Sequence, residues 1–346
     1  MTSAPLPDAG SNWVDRHAPE GLKPWLKLGR FDRPIGIWLL LLPGWQGIAL
    51  AVASDRDIFA RPVFAVEHAV ELVILFAVGA CLMRAAGCAF NDLIDRDIDR
   101  QVARTASRPV ASGRISVAEA WCFVTVCCLG SLLILLTMNW ATLMLGVASL
   151  ALVAAYPFMK RITWWPQAWL GLTFNFGVLM GFAAFTSAFN WSGMPDYWRT
   201  GVLVFHAHAG MPGHLSLYAL LLYLGGVFWT LGYDTIYALQ DIEDDAMVGV
   251  KSSARRLGGN LQRGVGVFYG LAVVFAGLAG AFAGLGPLFW IGLGAYALHL
   301  TWQTRRVRSD DGALALRLFR SNREAGFVLL IAIILGVLWP LQGVAP

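Results

Sequence analysis

The chain has 346 residues, 57% hydrophobic and only 14% charged, with a net charge of +4. Soluble domains carry about 25% charged residues, and here the apolar residues come in long blocks, which excludes an ordinary soluble domain and points to one polytopic membrane unit. The small positive balance is divided among separate loops, so no nucleic-acid partner is expected.

Residues 1–22 are polar and rich in Pro, Gly and Asp, and read as a tail; with no apolar core before Ile35, no cleavable leader is expected. Residues 23–34 mix Trp25, Leu26, Leu28 and Phe31 with Lys27, Arg30 and Arg33, which suits a segment lying at the membrane surface. The division expected is therefore 1–34, a polar N-terminal tail and interfacial segment, and 35–346, a single transmembrane domain. Crossing a hydrocarbon core of ~30 Å takes roughly 20 apolar residues. By that measure about nine helices cross, at 35–53, 66–90, 117–137, 140–157, 164–189, 215–240, 263–283, 286–304 and 325–342. The fold class expected is an all-α integral membrane protein.

Of the 26 lysines and arginines, 22 fall in the tail and in the loops after the second, fourth, sixth and eighth spans; Arg56, Arg61 and Arg199 lie on the other side, and Arg84 lies inside a span. The positive-inside rule puts the base-rich side, with the N-terminus, in the cytoplasm and the C-terminus outside. Ser116 and Glu119 have the spacing of a capping box opening the third span. The five cysteines, Cys81, Cys88, Cys122, Cys127 and Cys128, sit in apolar stretches without C-x-x-C spacing and read as inert thiols. His206, His208 and His214 share no helix face and have no carboxylate cluster beside them, so they are not expected to hold a metal. Gly277, Gly280 and Gly284 are spaced for close helix packing.

The chemistry is concentrated at two places. Asn91–Arg108 (NDLIDRDIDRQVARTASR) follows the second span, and Asp92, Asp95 and Asp99, spaced i, i+3, i+7, share a helix face from which Asp97 is turned away. Tyr233–Lys251 (YDTIYALQDIEDDAMVGVK) follows the sixth span. Continued as a helix, it places Asp241 and Asp245 on one face, with Tyr237 and Asp234 below them. Carboxylates this close repel unless a cation neutralises them. Hard divalent ions such as Mg2+ take oxygen ligands, commonly a few carboxylates plus substrate phosphates. Arg104 and Arg108, Lys160 and Arg161, and Lys251 supply bases for phosphate oxygens. The combination describes a metal–diphosphate site. The plain alternative is a set of loop charges that pair across helices and fix topology; two same-facing clusters at equivalent span ends weigh against it.

These residues resemble the UbiA superfamily of intramembrane aromatic prenyltransferases, whose aspartate-rich motifs read NDxxDxxxD and DxxxD. NDLIDRDID (Asn91, Asp92, Asp95, Asp99) and DIEDD (Asp241, Asp245) carry the likeness, with RTASRPVASGRIS, YPFMKRITWWPQ, DRPIG and LFRSNREAG in the same order along nearly the whole chain. Within the superfamily the chain looks most like the ubiquinone-pathway branch that prenylates 4-hydroxybenzoate. Asn175 in FNFG is less typical of it.

The resemblance implies a helix bundle around a central cavity, capped by the loops after the second and sixth spans. It implies that Asp92, Asp95, Asp99, Asp241 and Asp245 bind Mg2+ bridging the diphosphate of a polyprenyl donor. Asn91, Arg104, Arg108, Lys160, Arg161, Asp234, Tyr237 and Lys251 then surround the substrates. The polyprenyl group passes as an allylic cation to the 4-hydroxybenzoate carbon ortho to the hydroxyl. Arg84, about two turns before Asn91, either binds the hydroxybenzoate carboxylate or pairs with a buried acid such as Asp234. A bacterial inner membrane is the expected location, the bilayer the surrounding partner, and no obligatory protein partner is evident. The competing readings are a branch with a menaquinone- or haem-type acceptor and, from another class, a divalent-cation transporter.

Overall fold

A computed structural model describes residues 12–53, 62–101, 105–186, 216–242 and 251–339, with the side chains of 62–64 and of Asp241 left aside. Every regular element among them is a helix. Two short helices, α1 (Trp13–His17) and α2 (Lys23–Leu28), precede α3 (Ile35–Val52), α4 (Pro62–Asp99), α5 (Val117–Leu136) and α6 (Trp140–Ile162). The fifth predicted span divides into α7 (Pro166–Phe174) and α8 (Phe176–Thr186). Then come α9 (Leu217–Tyr237), a 3-10 turn over Ala238–Asp241, α10 (Ser253–Leu257), α11 (Leu261–Phe282), α12 (Pro287–Arg306), α13 (Gly312–Arg320) and α14 (Asn322–Leu338).

Local sequence sets several of these boundaries. The Ser116 hydroxyl accepts from the Glu119 amide at 3.2 Å and the Glu119 carboxylate from the Ser116 amide at 2.8 Å, so the expected capping box opens α5. Asn139 caps α6 by accepting from Thr142 N at 2.9 Å, and Asp311 caps α13 through Leu314 N at 2.8 Å. Lys160 and Arg161 occupy the last turn of α6, where the helix dipole favours cations.

Among the described residues, eight helical stretches are long and apolar enough to cross a membrane. The expected span missing from these eight is the eighth, 286–304, which corresponds to α12, whose last turns carry His299, Thr301, Gln303, Arg305 and Arg306. It is held by packing instead: Phe289, Leu293, Tyr296, Leu300 and Gln303 form a buried stripe at helical spacing. α9 packs along α11, α3 along α8, α4 along α5 and α12 along α14, and α14 closes back on α3. Where α3 meets α8 the backbones touch: a Cβ on Gly47 would lie 2.2 Å from the Val178 carbonyl oxygen, so only glycine fits. Gly277 and Gly280 lie against Leu293 and the Phe289 ring, as their spacing suggested, whereas Gly284 has nothing within 4 Å of its Cβ position and, at φ +68°, turns the chain from α11 into α12.

Residues 12–34 fold onto the bundle rather than trailing from it. Leu28 is fully buried with Ala89 and Leu93 of α4 and Ile115 and Ala120 at the start of α5, and Trp13 Nε1 donates to the Phe31 carbonyl at 2.7 Å. Residues 1–11 lie outside the described residues. The helices enclose a cavity of about 1450 Å3. Its wall runs along α4 from Asp92 to Leu75, roughly 25 Å at 1.5 Å per residue.

Candidate active site

The second span does not end before the first acidic motif. α4 continues to Asp99, so Asp92, Asp95 and Asp99 project from one continuous helix as the spacing required. Asp92 and Asp95 are 1% exposed and Asp99 6%. Each is matched with a base brought by another element. Arg30 Nη2 lies 2.8 and 3.2 Å from the two Asp92 oxygens. Arg108 Nη1 bridges Asp92 Oδ1 at 3.1 Å and Asp99 Oδ2 at 2.8 Å. Asp95 pairs with Lys160 Nζ and, at 3.4 Å, with Arg161 Nη2. Asp97 is 69% exposed beside Arg96 and Arg100, as its position off the face implied. Buried charges are tolerated when paired in this way.

Arg30 carries a cost that its role explains. The Phe31 amide bonds back to Leu26 O at 2.9 Å and the Arg30 amide to Lys27 O at 3.1 Å, the two bonds of a Schellman ending on α2. The position between them needs positive φ and usually holds glycine; here Arg30 takes it, at φ +58°. Such a conformation costs about 1 kcal/mol or more for a residue with a Cβ. The reward is a guanidinium aimed at buried Asp92. Read as sequence, Arg30 was one more interfacial base behind Gly29, and nothing in its local pattern distinguished it. Next to it, Asp32 lines the cavity with a buried Oδ1 that no donor reaches, and burial raises its carboxyl above the usual range against the pull of Arg33 and Arg30.

The second motif departs from the expected helix. α9 ends at Tyr237 and tightens into the 3-10 turn, so the α-helical period does not carry on through Asp241. The side chain of Asp241, and Asp245 and Arg104 altogether, lie outside the described residues, as do His206, His208 and His214. Asp234 and Tyr237 do reach the cavity, Tyr237 tilted against Phe319 with ring centres 4.5 Å apart. Lys251 does not: its amide bonds Lys160 O at 3.0 Å and its ammonium bonds Ile162 O at 3.1 Å, so it closes the end of α6. Lys160 and Arg161 turn to Asp95 rather than to the cavity. The segment after the second motif is tied down, because Thr235 and Ser253 share a hydrogen bond of 2.6 Å and Ser253 N donates to Gln167 at 3.0 Å.

Deeper in the cavity stands Arg84. Its guanidinium lies 5.5 Å from the centre of the Phe174 ring, and its buried Nε has no acceptor. A Cβ on Gly36 would come within 2.6 Å of that Nε, so the glycine of DRPIG makes the room. Tyr156 and Tyr233, which sequence reasoning passed over, line the same region within electrostatic reach of Arg84 and Asp234. Beyond it the wall becomes apolar with Leu75, Phe76, Leu132, Leu135, Met138 and Met180. The mouth carries Arg30, Asn91, Asp92, Arg108 and Arg114, with Arg317, Arg320 and Arg323 facing them. All five cysteines are free, and Cys88 and Cys128 line the cavity.

Such a cavity suits an amphiphile with an anionic head at the mouth and a hydrocarbon tail along the apolar wall, and beside it a small anion at Arg84. Among the described residues no group of three His, Cys, Asp or Glu side chains is placed to hold a metal. Two hard carboxylates nevertheless converge, since Asp92 and Asp99 reach the same nitrogen of Arg108, and a divalent cation fits that donor chemistry.

The family described as UbiA prenyltransferase family matches residues 40–330. The mitochondrial 4-hydroxybenzoate polyprenyltransferase of Aedes aegypti is 38% identical over 345 residues, covering 96% of this chain and 70% of that protein. The Arabidopsis thaliana protein of the same name is 40% identical, covering 94% and 72%, and the Rattus norvegicus one 39%, covering 94% and 78%. Among solved structures, a UbiA homolog from Aeropyrum pernix K1 superposes with a TM-score of 0.62 at 24% identity, covering 87% of this chain and 96% of that one. A UbiA homolog from Archaeoglobus fulgidus bound to GPP and Mg2+ gives 0.56 at 17% identity, covering 90% and 99%. At these identities the structural likeness is one of fold.

Proposed function

The chain belongs to the UbiA prenyltransferase family, and from that premise we propose that it moves a polyprenyl group from a polyprenyl diphosphate to 4-hydroxybenzoate, at the ring carbon ortho to the hydroxyl. It is an aromatic polyprenyltransferase of the membrane, in line with its curated relatives. The observation that carries the substrate pair is the polarity of the cavity: matched charges at the mouth, an apolar wall for the chain, and Arg84 with an unbonded Nε between them.

The donor's diphosphate sits at the mouth. Arg30 and Arg108 are the bases nearest it, and Arg104 belongs to the same loop. Asp92, Asp95 and Asp99, with Asp241 and Asp245 from the second motif, hold Mg2+. When bound, that ion neutralises charge as it develops on the leaving diphosphate. Arg30 and Arg108 add preorganised positive charge at the same oxygens. Lys160 and Arg161 pair with Asp95 and orient it. The apolar wall excludes water from the allylic cation, which water would otherwise quench. Arg84 takes the acceptor's carboxylate, with Phe174 beneath its guanidinium. Asn91, Tyr237 and Asp234, which line the cavity, flank the reacting groups, and Asp234 assists loss of the ring proton.

The basic mouth is read as the cytoplasmic side or its organellar equivalent, with the C-terminus opposite. The curated relatives are mitochondrial proteins, so the expected bacterial inner membrane draws no support from them. Membranes containing the protein, supplied with Mg2+, a polyprenyl diphosphate and labelled 4-hydroxybenzoate, should yield lipid-soluble product that EDTA abolishes. Product only with a menaquinone- or haem-type acceptor would move the chain to another branch.

A further inference from the structure

We infer that Asn175 is a positioning residue which, through Thr230, aims the Tyr233 hydroxyl proton at an oxygen of the aromatic acceptor. This rests on reading the cavity as the prenyl-transfer site. Asn175 is the residue at which the fifth span breaks: α7 ends at Phe174 and α8 begins at Phe176. It is 1% exposed, so its amide must find partners inside the protein.

Those partners set a direction. The side-chain nitrogen lies 2.9 Å from Gly171 O, a carbonyl that can only accept, so this end of the amide is the donor. Its second hydrogen points to Thr230 Oγ1 at 2.7 Å. Thr230, having accepted, donates to Tyr233 Oη at 3.1 Å. Tyr233 therefore accepts in this chain, and none of the hydrogen bonds of the described residues takes its own proton. Tyr233 is 1% exposed and lines the cavity with Phe174, the ring beneath Arg84. The backbone accommodates the arrangement: a Cβ on Gly226 would stand 2.2 Å from Asn175 Oδ1. One break in the helix thus places the stacking ring at Phe174 and, one residue on, the amide that orients the hydroxyl. The ligand served is an oxygen acceptor on a small aromatic anion, bound jointly by Arg84 and Tyr233.

A polar knot that merely pins α7 and α8 to α9 would look similar, and kinetics separate the two. In full-length protein in membranes, KM for 4-hydroxybenzoate and for the polyprenyl diphosphate are measured for Thr230→Val, Tyr233→Phe, the double variant and Thr230→Ser. Thr230→Val should raise the acceptor KM about 5-fold, the scale of one neutral hydrogen bond, and leave the donor KM within about twofold. Tyr233→Phe should do the same. The double variant should be no worse than Tyr233→Phe alone, because a chain cut at its end has nothing left to transmit. Thr230→Ser keeps the hydroxyl and should keep the wild-type acceptor KM. Equal changes in both KM values, additive effects in the double variant, or a wild-type acceptor KM in Tyr233→Phe overturns the relay. Should Thr230→Val fail to accumulate, Tyr233→Phe against Thr230→Ser decides alone. Wild-type protein that makes no product from 4-hydroxybenzoate overturns the function, and the relay falls with it.

Discussion

The two ends of the cavity treat buried charge in opposite ways. At the mouth, Asp92, Asp95 and Asp99 are all engaged by Arg30, Arg108, Lys160 or Arg161 in the folded chain. Deeper in, Arg84 keeps a buried Nε without an acceptor and has an aromatic face beneath it. A network whose charges are already matched is complete on folding and can present a fixed potential to an incoming anion. A donor left without an acceptor is complete only when a ligand brings one. The mouth is therefore organised by the protein, whereas the deep end keeps a donor free for a partner from outside the chain.

The largest effect expected is at the mouth. Asp92→Ala leaves two guanidiniums facing each other and should lower prenyl transfer on the order of 10²- to 10³-fold, the scale of losing one preorganised electrostatic group. Turnover per folded protein, with the folded fraction taken from size exclusion, is the measurement; near-normal turnover would remove this end from the chemistry. Next comes Arg30, where charge and strain separate. Arg30→Gly and Arg30→Ala should lose activity alike. The glycine variant should be the more stable by about 1 kcal/mol, because glycine takes φ +58° without penalty. Equal thermal stability of the two would mean that the turn does not strain the arginine.

At the deep end, Arg84→Ala should cost roughly 10-fold or more in discrimination between 4-hydroxybenzoate and phenol, as expected for a charged hydrogen bond. If turnover of both falls equally, Arg84 serves structure rather than the carboxylate. The smallest effect is in the pH dependence of stability. The raised Asp32 carboxyl holds its proton in the folded chain at pH values where the unfolded chain has released it. Stability is therefore lost as pH rises from 3.8 through the raised value. Asp32→Asn should remove that loss, so the melting temperatures of variant and wild type should converge below this window and the variant should stand slightly higher above it.

Much of the mouth was legible because its residues lie within one helix. The i, i+3, i+7 spacing of Asp92, Asp95 and Asp99 survives folding unchanged, since α4 runs on to Asp99. After Tyr237 the period itself changes, as the chain tightens into a 3-10 turn that no periodicity announces. Lys251 was placed by proximity to a motif, and the fold sends it to the carbonyls of α6. Arg30 went unnoticed because its importance depends on a partner 62 residues away.

By itself the sequence determined what depends on composition and local period: an all-helical membrane bundle, the places of its long apolar helices though not the end of α4, the capping box at Ser116, and two acidic motifs after the second and sixth apolar blocks. Only the tertiary structure decided which base meets which carboxylate, that the fifth span breaks at Asn175, that α12 is held by its buried stripe, and that Arg84 retains an unsatisfied nitrogen. The physical reason is range. Helical periodicity is a property of neighbours in the chain, whereas ion pairs and buried hydrogen bonds are made between elements whose approach is set by packing, and packing is written in no single segment.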